Sequence, residues 1–101
     1  MITVRTYETE DENIIDIRGH ANYAPKGKDI VCAAITSLVS LADEMCKEYN
    51  GTSEISEGKA IFRFIKSDES ESFIICFINV IDEIAEEYGN YVQLIEGATD
   101  E

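Results

Sequence analysis

Along the first twenty residues, apolar and polar positions alternate. From residue 30 onward the apolar positions recur at helical spacing instead. Residues 2–7, Ile-Thr-Val-Arg-Thr-Tyr, are rich in β-branched and aromatic side chains and predict a strand. Residues 8–13 are acidic and polar and predict a turn. Residues 13–18 predict a second strand, which Gly19 ends. So short a connection predicts an antiparallel hairpin. From Ile30 to Tyr49, the residues Val31, Ile35, Leu38, Ala42, Met45 and Tyr49 fall on one stripe and predict a helix. Asp29 is its N-cap, and Asn50-Gly51 is its stop. Residues 59–65 alternate as a strand does. Residues 73–80 suit a buried strand or a helix by apolar content alone. Ser67-Asp68-Glu69-Ser70-Glu71, just ahead, supplies capping side chains and first-turn carboxylates. The stripe Phe73, Phe77, Ile81, Ile84 and Tyr88 then runs to Gly89, which favours a helix. Residues 91–95 predict a last strand and residues 96–101 a frayed tail. The order is β-β-α-β-α-β. It predicts a single α+β domain over residues 1–101, with two helices on a four-stranded mixed or antiparallel sheet.

Composition narrows the class. A chain of 101 residues with 45% apolar content makes one globular domain with a modest core. A net charge of −13 disfavours nucleic acid and anionic membranes and suits a basic partner, although solubility alone is the plainer reading. Cysteines stand at 32, 46 and 76, without a Cys-x-x-Cys pair, beside a single histidine. That argues against a zinc site or a disulfide framework, and no cofactor is expected. It fits a reducing, cytoplasmic setting. The first residues lack a signal-peptide pattern, and the longest apolar run, residues 73–78, is too short to span a bilayer.

The candidate chemistry lies between the second strand and the first helix. His20, the only histidine, follows the strand. With Asp29 as N-cap, Cys32 is the third helical residue. There it faces unpaired N–H groups and the positive end of the helix dipole, which favour a thiolate. Arg18, Lys26 and Lys28 are nearby in sequence and act in the same direction. A protonated His20 within about 4 Å would add to this and could pass its proton to a leaving amine. A cysteine with its base is the minimum equipment of nucleophilic catalysis. Ala33 and Ala34 leave room beside the sulfur, and the N–H groups of Cys32 and Ala33 are candidate oxyanion donors. Gly19 and Gly27 serve backbone conformation, and Gly19 also admits a close approach of substrate. Tyr23, Pro25 and Lys26 lie in a loop that is either a lid or an ordinary exposed connection. The plainer reading makes Cys32 a small core residue and His20 a satisfied strand-end histidine. Cys46 and Cys76, each inside an amphipathic helix, are expected in the core.

The run Gly19-His20-Ala21, a glycine-containing loop, then Asp29-Ile30-Val31-Cys32-Ala33-Ala34 resembles the signature of the ribosomal-processing cysteine protease family, Prp. The resemblance spans essentially the whole chain. It implies removal of a short N-terminal extension from a large-subunit ribosomal protein, the one numbered twenty-seven, after an aromatic residue. It implies Cys32 as nucleophile and His20 as general base and acid. Asp29 would cap or support, and the loop of residues 21–28, with Ala21, Asn22, Tyr23 and Gly27, would match a mobile segment that orders around substrate. It also implies a homodimer. The family usually has serine where this chain has Thr36, which keeps the hydroxyl and adds a methyl group. An acidic enzyme would be steered toward a basic ribosomal protein. Residues 8–12 and 82–87 are acidic clusters that could serve this, or simply form solvated surface.

Two other functions fit the same chain. A non-catalytic ribosome-assembly protein would hold the same basic partner without cutting it. A thiol redox sensor would need a resolving cysteine, and none lies close to Cys32 in sequence. RNA binding is disfavoured by the charge and by the lack of a basic stripe.

Overall fold

The computed structural model describes residues 1–97. Its elements are β1 (Ile2–Glu8), β2 (Glu12–Gly19), α1 (Ile30–Glu48), β3 (Thr52–Ser56), β4 (Lys59–Ile65), α2 (Asp68–Glu87) and β5 (Val92–Ile95). They form an α+β fold with two helices on a five-stranded mixed sheet of order β3-β4-β2-β1-β5. β1 pairs parallel with β5, and every other pairing is antiparallel.

The four-strand expectation is corrected by β3. All five of its residues are exposed, so no buried alternation marks it in the sequence. It is a sheet edge held by antiparallel pairing with β4, from Thr52 opposite Arg63 to Ser56 opposite Lys59. Of the expected frayed tail, residues 98–101 lie outside the described residues.

The register puts Ile2, Val4, Ile15, Ile17, Phe62 and Val92 on one face of the sheet, and all are buried. Val31, Ile35, Ala42 and Cys46 of α1 and Ile74, Phe77 and Ile81 of α2 complete the core on that face. Both helices therefore cover one side. β2–α1–β3 and β4–α2–β5 are crossovers between parallel strands that start in opposite directions and run opposite ways along the sheet. One common hand then places both helices on the same face. α2 forms as a helix because its start is tightly capped. Ser70 N donates to Ser67 Oγ at 3.0 Å, and Ser67 N donates to Ser70 Oγ at 3.1 Å. Among the described residues, no helix is long and apolar enough to cross a membrane.

Cys76 is a second correction. It is exposed, whereas Cys46 is buried as expected. In α2 the buried positions are Ile74, Phe77 and Ile81, and residue 76 lies off that stripe toward solvent.

Candidate active site

β2 ends at Gly19, whose φ of 102° lies in the left-handed region. A side chain there would also overlap the Met1 carbonyl oxygen, so the backbone of β1 packs directly against this point. His20 follows, exposed, and residues 20–29 lead to α1. Asp29 is the N-cap of α1, which makes Cys32 the third helical residue, and its thiol is exposed.

Two cavities share His20, Cys32 and Thr36 in their walls. The smaller, about 260 Å³, lies between α1 and the β3–β4 hairpin. Its apolar lining includes Ile17, Ile35, Val39, Ile55 and Ala60, and Gly19 stands at its edge. The larger, about 670 Å³, is walled by the 20–29 loop, with Ala21, Asn22, Gly27 and Asp29, and by Ala33 and Glu57. The fold thus brings the histidine and the cysteine to a common cleft, with an apolar chamber on one side and the loop on the other.

Asp29 organises the segment. Its Oδ1 accepts from Cys32 N at 2.8 Å, and its Oδ2 accepts from Tyr23 N at 2.9 Å and Ala24 N at 3.4 Å. One carboxylate therefore ties the loop to the first turn of the helix. These backbone donors, Cys32 N foremost, lower its pKa against an opposing effect of desolvation.

Several expectations change at this level. The amide of Cys32 is spent on Asp29 Oδ1, and the amide of Ala33 donates to Asp29 O at 3.0 Å. Neither is free for an oxyanion, because capping and the start of the helical ladder claim both. Tyr23 lines neither cavity. Its ring packs edge-on against Tyr91 and Tyr88, at centroid distances of 5.0 and 5.6 Å, so it anchors the loop to α2 and the approach to β5. Ala21 is buried in the core and fixes the loop's other end, while Asn22 holds a left-handed φ of 54° and Gly27 one of 89°. Arg18 pairs with Asp16 at 2.9 Å and lines neither cavity, whereas Lys26 and Lys28 both line the larger one.

The residues that the sequence reading missed are those of the β3–β4 hairpin. Ile55, Ser56, Gly58 and Lys59 wall the smaller cavity. The signal was Glu57-Gly58, a glycine turn between two short runs of strand-forming residues.

The chain matches the family model described as "Cysteine protease Prp" over residues 1–93. It belongs to the Prp cysteine protease family. No curated protein matches it. Among solved structures, an S. aureus ribosomal processing protease Prp with a covalently linked product peptide is similar. Its TM-score is 0.80 at 23% identity, over 95% of this chain and 99% of that one. The same protease with a substrate peptide gives a TM-score of 0.77 at 21% identity, with the same coverage. SMU.848 from Streptococcus mutans gives 0.72 at 19% identity, over 98% of this chain and 96% of that one. At such identities these structures establish the shared fold.

Within this Prp fold, the Asp29 hub gives a separable prediction. Asn is as good an N-cap as Asp, but its amide has a single oxygen to offer. Asp29→Asn is expected to keep the thermal stability of α1 while the amides of Tyr23 and Ala24 exchange faster with solvent. Hydrogen exchange read by mass spectrometry checks this, and unchanged protection at both amides would refute it. In the parent chain, Asp29 has a lowered folded pKa. Its contribution is therefore full above the unfolded carboxylate range, near about 3.9. It is lost as pH falls through the lower folded value, so loop protection should fail only in that acid window.

Proposed function

We propose that this Prp chain is the endopeptidase that removes the N-terminal extension of a large-subunit ribosomal protein, the one numbered twenty-seven. Cys32 is the nucleophile, and His20 is the general base and acid. The observation that carries the reading is the placement of His20 and Cys32 in the shared walls of two cavities, within a cysteine protease family. The S. aureus relatives are described as ribosomal processing proteases, one of them with a covalently linked product peptide.

The chemistry follows from that placement. His20 takes the thiol proton of Cys32, and the sulfur attacks the scissile carbonyl carbon and forms a C–S bond while the carbonyl π electrons move to oxygen. As the oxyanion collapses, the C–N bond breaks and His20 gives a proton to the leaving amine. Water then attacks the thioester while His20 takes its proton. The second collapse releases the carboxylate product and the free sulfur. Thr36, one turn after Cys32 and in both cavity walls, sits beside these steps. An apolar chamber next to the sulfur suits an aromatic residue before the cleaved bond. With a net charge of −13, the chain attracts a basic ribosomal protein, and this long-range field acts mainly on the association rate. We further read the protein as a cytoplasmic homodimer, which light scattering coupled to size exclusion tests.

Mass spectrometry of the ribosomal protein, incubated with and without the enzyme, tests the reaction. A shortened N-terminus only with the enzyme supports it. An intact N-terminus in both, with the two proteins still binding, would instead favour a non-catalytic assembly protein.

A further inference from the structure

The β3–β4 turn reaches the imidazole directly. A Cβ placed on Gly58 would lie 2.9 Å from His20 Nε2, 3.5 Å from Cε1 and 3.6 Å from Cδ2. The ring therefore rests against the backbone of Gly58 in space that a side chain would fill. The turn is also tied to the residue before the histidine, because Gly19 N donates to Gly58 O at 2.9 Å. On its other side, the His20 carbonyl accepts from the Met1 amino group at 2.6 Å. The backbone on either side of His20 is thus held by the β3–β4 turn and by Met1, and the ring is seated against Gly58.

We infer that Gly58 is a positioning residue for His20, and that the missing side chain at the β3–β4 turn sets where Nε2 stands relative to Cys32. This deepens the proposed function and rests on the reading of His20 as the base. The seat is selective because of what would give way. The nearest atoms to an added Cβ belong to a side chain with two rotatable bonds, not to backbone. A larger residue at 58 would push the ring and leave the hairpin paired. A misplacement of about 1 Å in a reacting group can cost about 10²-fold in rate.

A conformational requirement acts at the same position, since φ of Gly58 is 71°. Asn tolerates this region better than most residues. Gly58→Asn therefore adds bulk beside the ring with little backbone strain. Gly97→Asn is the control for strain, with φ of 68° and nothing within 4 Å of its Cβ position.

The test has two arms. His20 is the only histidine, so its ring protons give NMR signals with no competing imidazole. In the unsubstituted protein, a nuclear Overhauser effect between those protons and the Gly58 α protons is expected. Its absence would overturn the inference whether or not the chain is a protease. In the second arm, the extension peptide is the substrate. Gly58→Asn should lower kcat by about tenfold or more, leave KM within about twofold, and shift the His20 ring signals. Gly97→Asn should do none of these. An unchanged kcat in a folded Gly58→Asn protein would overturn the inference. If the parent chain does not cut the peptide, the protease reading fails, and the NMR arm alone decides the packing.

Discussion

Cys32→Ala is expected to abolish cleavage of a peptide carrying the ribosomal-protein extension, with a loss on the order of 10⁴-fold or more. In the proposed reaction the sulfur forms the acyl-enzyme, and an alanine methyl group offers no nucleophile in its place. Cys32 is exposed at the third position of α1 and borders both cavities. The other thiols make the experiment specific. Cys46 is buried, and burial, with the Asp43 carboxylate nearby, pushes its thiol up to about 11. At neutral pH it stays protonated and shielded. Cys76 is exposed on α2, and of the two exposed thiols only Cys32 borders the cleft with His20. Cys46→Ala and Cys76→Ala should therefore keep cleaving. Iodoacetamide at neutral pH should label Cys32 fastest and Cys46 only after unfolding. Full activity in Cys32→Ala would end the protease assignment of this residue.

Phe62→Ala should cost the fold about 3–5 kcal/mol. Phe62 has no exposed surface and sits in β4, opposite Ile15 of β2 and Ser53 of β3. Its ring belongs to the core layer between the sheet and the two helices. Removing it loses apolar burial and leaves a cavity that the surrounding strands can close only in part. A domain of this size has about 5–15 kcal/mol in total, so the variant would stand near the limit of folding. Each kcal/mol corresponds to roughly 4–8 °C in Tm. Ile55→Ala, on the exposed edge strand, should change stability little when the two are compared by urea unfolding. A loss below about 1 kcal/mol at Phe62 would mean that the layer repacks around the gap.

Most of the architecture was legible because local signals and burial agree. The stripe from Val31 to Tyr49 became α1, and residues 59–65 became β4. α2 was ambiguous by apolar content, and its capping box decided it, since two serines satisfy each other's amides before the helix begins. β3 was illegible for the opposite reason. Thr52–Ser56 buries nothing, and its strand conformation comes from hydrogen bonds to β4, whose partners are remote from any local pattern. Cys76 was misplaced because one residue of helix rotation separates a core position from a solvent one.

The site divides along the same line. Sequence alone determined that a histidine ends a strand, that a cysteine begins a helix, and that Asp29 caps that helix. Each is a local property, set by propensity, capping and dipole over a few residues. Only the tertiary structure decided what surrounds them. It docked Tyr23 on Tyr88 and Tyr91, and set the β3–β4 turn against the imidazole. Those partners lie far from His20 and Cys32 along the chain, and sheet order and helix packing bring them to the cleft. The local pattern names the candidate pair, and the long-range packing sets what surrounds it.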